Sequence, residues 1–247
     1  MKLPDQNSNV PEFSIITVTL NSESSIQRCI NSVRNQTLKN FEYIVVDGKS
    51  TDQTLQIIGE NRDIIRKLIS EPDMGLYHAM NKGIKLAEGR LIGILNSDDE
   101  YFPDTLQQVS LAVAVGVDSG LYFGNVINAM QSDLILEVPV NEIVSRMIPH
   151  PATFITRKTY ERWGDFNTKF HVAADYELIL RLRKAGVYFY KIDKPLTITY
   201  PGGFSAKHRF RSILETIFLH FKFREKSIIV TILRELRYFL AATLIKR

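Results

Sequence analysis

A single cysteine, Cys29, among 247 residues leaves no partner for an internal disulfide, which points to a core-stabilised fold in a reducing, cytoplasmic compartment. Cys29 falls within an apolar helical pattern and reads as a buried, inert thiol rather than a nucleophile. Uninterrupted apolar runs of about 18 residues, the length a spanning helix needs, are missing. The opening stretch MKLPDQNSNVPEF has no apolar centre, so no secretory signal is expected. Neither G-x-G-x-x-G behind the first strand nor a G-x-x-x-x-G-K loop ending in Ser or Thr occurs, which argues against dinucleotide oxidoreductases and P-loop enzymes. Internal repeats, low-complexity segments and linkers are also absent.

The charge of +4 conceals an asymmetry. Residues 207–247 hold ten Lys/Arg against three Asp/Glu, whereas the rest holds 21 against 24. A nearly neutral body with a basic tail speaks against a nucleic-acid partner, which would need positive charge spread over a binding face. It suits contact with anionic lipid better.

Apolar periodicity predicts strands at 13–19, 43–46, 67–70 and 91–95, alternating with helices near 24–36, 52–61 and 75–88. That alternation means βαβ crossovers and a parallel sheet. The strands are apolar without a period of two, as expected when helices cover both faces. Further on, a helix near 104–114, short strands at 121–126, 134–138 and 152–156, a helix at 175–185 and a strand at 187–192 suggest a mixed sheet. The fold class is therefore α/β: a mixed, mostly parallel central sheet flanked by helices, as one domain over 1–206 with a helical tail over 207–247. Within the tail, Ser227 to Ile245 places Ile228, Ile232, Leu236, Phe239 and Leu240 on one wide face. Packing on the body, packing on a second subunit in a homo-oligomer, and peripheral contact with the inner face of the plasma membrane all stay open, the last being preferred.

Open parallel sheets bind ligands beyond the carboxyl ends of their strands. Thr19 and Asn21, Asp47, and Asn96-Ser97-Asp98-Asp99 all fall there. Adjacent carboxylates at a strand end repel unless a cation compensates, and a hard divalent ion completed by phosphate oxygens suits Asp98 and Asp99. The alternative is a turn in which Asp99 caps the next helix.

The blocks SIITVTLN, VVDGKSTDQT, EPDMGLYHAMNKGI and GRLIGILNSDD, in that order, resemble the family 2 glycosyltransferases with the GT-A fold. The likeness is close over about 13–105 and looser over 150–205. It implies a nucleotide-sugar donor, UDP-sugar favoured, bound by Thr17, Thr19, Asn21, Asp47, Asp73, Gly75, Asn81, Lys82 and Asp98. Asp47 would accept a hydrogen bond from a pyrimidine N–H. Asp98 and Asp99 would hold Mn2+ or Mg2+, although Asn96 departs from the frequent D-x-D-D form. The acceptor would be a glycan or a lipid-linked hydroxyl, and transfer would invert. Asp175 is the expected base, with a plain helix N-cap as the alternative and Glu177 as the fallback. His150, Ser205, Lys207 and Arg209 are candidates for diphosphate or acceptor contacts, and Trp163 for stacking on a sugar or for the core. The rival readings are a sugar-phosphate nucleotidyltransferase and a catalytically silent nucleotide-sugar-binding subunit of a membrane assembly.

Overall fold

A computed structural model describes residues 10–113, 119–136 and 148–223. Strands β1 (Phe13–Thr19), β2 (Phe41–Asp47), β3 (Lys67–Ser70) and β4 (Leu91–Ile94) alternate with helices α1 (Ile26–Arg34), α2 (Thr54–Glu60) and α3 (Leu76–Leu86). Then come β5 (Glu100–Tyr101), α4 (Thr105–Val113), β6 (Gly120–Asn128) and β7 (Gln131–Leu136). The remainder is a 3-10 turn at His150–Ala152, β8 (Thr153–Thr156), α5 (Arg157–Trp163), α6 (Ala174–Lys184), β9 (Tyr188–Thr199), α7 (Phe204–Lys207) and α8 (Arg209–Phe223).

One sheet runs β3-β2-β1-β4-β8-β6-β9-β5, with β7 beside β6. β1 pairs in parallel with β2 and β4, and β2 with β3. The second half is mixed: β8 is antiparallel to β4 and β6, whereas β9 is parallel to β6 and antiparallel to β5. All seven residues of β1 are buried because helices cover both faces. Ile16, Val18, Ile44 and Val46 pack with Met80 of α3 and with Ile179 and Leu182 of α6. Phe13, Ile15, Tyr43 and Val45 pack on the other side with Ile26, Ile30 and Val33 of α1 and Leu106 of α4. Cys29 belongs to that second core, fully buried, and burial pushes its thiol up to about 12, as an inert side chain requires.

Two departures from the sequence reading have physical causes. β9 continues to Thr199 instead of ending near Ile192. Pro195, which lacks an N–H, is accommodated where the β6–β9 register shifts around Asn125. α5 was not anticipated, and α8 is the opening part of the helical tail expected over 207–247. α8 packs into the first core through Leu219, so residues 209–223 lie on the body. The amphipathic stretch Ser227 to Ile245 falls outside the described residues.

Gly89 sets the spacing between the end of α3 and β1. A Cβ there would lie 2.5 Å from the backbone of both Phe13 and Ser14. Backbone cannot give way as a side-chain tip can, so Gly89→Ala is expected to lower Tm by roughly 6 °C or more, about 3 kcal/mol of overpacking. Thermal melts that agree within a degree or so would show that β1 can retreat.

Candidate active site

β1, β2 and β4 run parallel, so their carboxyl ends deliver Thr19, Asp47 and the Asn96–Asp99 turn to one sheet edge. Thr19 and Asp47 are register partners, and the Gly48 N–H donates to the Thr19 carbonyl at 2.8 Å. The Thr19 hydroxyl is buried yet has no hydrogen-bond partner, which marks it as a group left for a ligand or water. Asn21 and Lys49 flank this junction with φ of 51° and 67°, a conformation side chains other than glycine adopt only when held there. The holding bonds are explicit. The N–H of Asn21 donates to the Ser50 hydroxyl at 2.8 Å, and the Thr51 N–H donates to the Asn21 side chain at 2.9 Å.

Asp47 is fully buried, and its carboxylate accepts from the N–H groups of Lys49 and Ser50 and from the hydroxyls of Ser50 and Ser70. Asp47 thus braces its own turn, and a pyrimidine N–H would share its carboxylate with these donors. Thr17 is fully buried, accepts from the Tyr43 hydroxyl at 3.0 Å and touches Cys29. Residues 17 and 19 lie on one face of a strand, but only the second reaches the strand end.

The loop between β3 and α3 closes the edge. Asp73 pairs with Lys82 at 2.6 Å and meets His78 at 3.3 Å. Its other oxygen lies 3.2 Å from where a Cβ on Gly48 would stand, so glycine there allows the two loops to approach. Gly75, with φ of 116°, turns the chain into α3. Lys82 also holds Glu71 and the Pro72 carbonyl, and so fastens this loop. Asn81 points the other way. Its amide donates to the Phe166 carbonyl at 2.8 Å and accepts from the Phe166 N–H at 3.0 Å, clamping the segment before α6 rather than facing a donor.

Asp99 is 4% exposed and Asp98 is half-buried. Burial first, and Asp98 second, push the Asp99 carboxyl up to about 7, whereas His150, the Asn96 amide and the Tyr200 N–H favour its charged form. A cation beside the pair would keep both ionised, and the donor set of hard oxygens fits a divalent ion. Among the described residues no three His, Cys, Asp or Glu side chains converge on one point, so diphosphate oxygens and water would have to complete the shell. The loop after β9 approaches the dyad: the Tyr200 backbone favours the charged form of Asp99, and a Cβ on Gly203 would lie 3.4 Å from Oδ2 of Asp98. Lys207 is exposed and Arg209 half-buried at the α7–α8 junction, with Ser205 in α7 itself. Tyr200, which sequence reasoning missed, and Gly203 are the residues of this loop that come nearest the dyad.

Asp175 stands in the first turn of α6, whose N-cap is Ala173, so the plain-cap reading does not hold. Its Oδ1 accepts from the Tyr77 hydroxyl at 3.0 Å and the Tyr176 N–H at 2.8 Å. Its Oδ2 lies 3.5 Å from Nδ1 of His150, whose Nε2 is 3.3 Å from the Asn96 carbonyl. Asn96 in turn donates to Asp99 at 3.1 Å. A continuous polar chain thus joins the dyad to Asp175 beside a cavity of ≈ 20 Å³, the space of about one water. Glu177, the fallback base, is 3% exposed and held by Arg181 at 3.2 Å, which removes it from contention. Trp163 is half-buried against the first core. The linking roles of Tyr77 and Asn96 had no sequence signal beyond their nearness to matched blocks.

Comparison with known proteins agrees with this geometry. The model of Glycosyl transferase family 2 matches residues 14–119. A PGL/p-HBAD biosynthesis glycosyltransferase of Mycobacterium bovis (strain BCG / Pasteur 1173P2) is 35% identical over 188 residues, 69% of either chain. The crystal structure of S. aureus TarS 1-349 has a TM-score of 0.69 at 20% identity, over 91% of this chain and 71% of that one. The chain spans 39% of the longer TarS structure. Mannosyltransferase PcManGT from Pyrobaculum calidifontis, in complex with GDP-Man and Mn2+, gives 0.68 at 20% identity, over 93% and 70%. These two likenesses carry the fold alone. Sequence shared along most of the mycobacterial relative, together with the match to the family model, leads to one conclusion: the chain belongs to glycosyltransferase family 2.

Proposed function

We propose that this glycosyltransferase moves a hexose from a nucleoside diphosphate donor to a hydroxyl of a glycan or lipid-linked acceptor, with inversion at the anomeric carbon and with a divalent metal. The observation that carries the reading is the buried Asp99 beside Asp98, linked through Asn96 and His150 to Asp175. TarS 1-349 is known in complex with UDP-GlcNAc and PcManGT with GDP-Man and Mn2+, which supports a nucleotide-sugar donor and a metal here. A UDP-sugar is the favoured donor, with Asp47 as the acceptor of a pyrimidine N–H.

In this reading Thr19, Asn21, Asp73 and Gly75 bound the donor pocket, and Asp98 and Asp99 hold the metal. When bound, that ion neutralises charge developing on the diphosphate. Asp175 withdraws the proton of the acceptor hydroxyl as its oxygen attacks the anomeric carbon. The new C–O bond forms while the bond to the diphosphate breaks, and the diphosphate leaves with the electron pair. His150 orients Asp175, and the Tyr200–Gly203 loop shields the diphosphate from bulk water. Contact with the inner face of the plasma membrane, expected of the basic tail, would suit a lipid-linked acceptor.

The test is release of nucleoside diphosphate from a panel of nucleotide sugars. Release is expected to need Mn2+ or Mg2+ and to stop with a chelator. Indifference to chelator would remove the metal from the proposal, and binding without any release would favour the silent-subunit reading.

A further inference from the structure

α8 has two unlike faces. The inner one is built in: Thr216, Leu219 and His220 are buried, and the Tyr176 hydroxyl lies 3.0 Å from Nε2 of His220. Glu215 accepts from the N–H groups of His171, Val172 and Ala173 at 3.0, 2.9 and 3.0 Å, holding the segment that leads into α6. The outer face is apolar and largely exposed, with the Phe218 ring reaching Phe170 at 6.0 Å between centroids. Phe210 is 68% exposed, Leu214 51%, Phe218 57% and Phe221 65%. Their spacing of four, four and three residues makes one stripe along the helix. Single exposed apolar residues need no explanation, but four large ones in a row on one helix do. Arg211 and Lys222 are exposed on the same helix, and Lys207 just ahead of it. The one acid of α8, Glu215, is turned inward and held.

We propose that this stripe docks on the surface of an anionic lipid bilayer, with the phenyl rings among the upper acyl chains and the cations at the headgroups. Charge selects this occupant over the others. Lys207, Arg209, Arg211 and Lys222 outnumber the one acid Glu215 even with Arg211 paired to Glu215 at 2.8 Å and Lys222 3.7 Å from Glu177, so a second copy meeting the stripe symmetrically would set basic against basic. Residues 224–247 carry six Lys/Arg against two Asp/Glu, which adds to the basic charge this end of the chain offers an anionic surface. α8 has 15 residues, too few to cross a bilayer, so the contact made by this stripe is peripheral. Through Glu215 the docked helix would hold the start of α6, and with it Asp175, at a fixed place relative to the bilayer. That consequence rests on the proposed function; the docking itself does not.

Flotation of the full chain with vesicles tests the surface, using phosphatidylcholine alone or an equimolar mixture with phosphatidylglycerol. The chain is expected to float with the anionic vesicles and to stay behind with the neutral ones. Phe210→Ser/Phe218→Ser/Phe221→Ser is expected to lower the bound fraction at least about tenfold. Phe210→Ser alone, the mildest change, is expected to lower it about threefold and covers the case of a triple variant that fails to fold. A chain that does not float with anionic vesicles overturns the proposal, as do variants that float like the parent chain. A parent dimer that the variant converts to monomer, without vesicle binding by either, assigns the face to a second copy instead. Donor hydrolysis is read on the same samples: its loss in the parent chain would sink the proposed function and leave the flotation result standing.

Discussion

Asp175→Asn is expected to lower turnover by about 10²–10⁴-fold, the usual contribution of a positioned general base, while leaving donor affinity within about twofold. Asparagine keeps the shape, and its carbonyl can still accept from the Tyr77 hydroxyl and the Tyr176 N–H that hold Oδ1 now. What disappears is basicity at Oδ2, the oxygen facing His150. The proton arrangement makes that pair specific. Asn96 gives its amide hydrogen to Asp99, so its carbonyl faces Nε2 of His150 and needs a hydrogen from it. Nδ1 then lies across from Oδ2 at 3.5 Å. His150→Asn, which breaks the link and spares the carboxylate, is expected to cost turnover about ten- to a hundredfold. Steady-state rates with donor affinity measured separately check both. Turnover unchanged in Asp175→Asn would take that residue out of the mechanism.

The second large effect lies in stability. The Asp99 carboxyl is raised to about 7 in the folded chain, mainly by burial and then by Asp98, from an ordinary value of 3.8. The folded state therefore binds a proton that the unfolded state releases. Its stabilising contribution is complete below the ordinary value and is lost as pH rises through about 7. Metal-free protein is expected to lose on the order of 2–3 kcal/mol between about pH 5 and pH 8, or roughly 5–10 °C in Tm. Glu42 and Glu215 are shifted downward, so their contributions are lost on acidification below this window. Asp99→Asn carries no charge to bury and is expected to flatten the slope and to be the more stable protein at the upper end. Mn2+ is expected to raise Tm of the parent chain more at about pH 8 than at about pH 5, since protons compete for the same oxygens. Melting curves with equal slopes for parent and variant would mean that Asp99 is not the group responsible.

Several parts of this were legible in the chain. The run FSIITVT and the helix behind it became β1 and α1, and LIGIL became β4 with the acidic turn at its end, because apolar period and turn residues are local properties. The two carboxylates at positions 98 and 99 were visible for the same reason. Where side chains of distant segments share an atom, pattern reading falls short. The sequence does not show that Ser70, on the next strand, already donates to Asp47 at 2.6 Å. Asn81 sat in a matched block, yet its amide is held by Phe166, 85 residues away. For Asp175 the sequence left a helix cap open as the alternative to a base, and only the fold gives the cap position to Ala173, whose N–H is held by Glu215.

By itself, then, the sequence determined the alternation of strands and helices, the burial of both sheet faces and the placing of Asp98 and Asp99 at a strand end. Each follows from the order of apolar, turn and acidic residues along a short stretch. The tertiary structure alone decided which polar groups are already satisfied and which still face the pocket. It also decided that a chain of hydrogen-bonding side chains from residues 77, 96, 150 and 175 meets at the dyad. Hydrogen-bond capacity is finite and is allotted in three dimensions, so a residue's availability for chemistry depends on neighbours that its own segment does not contain.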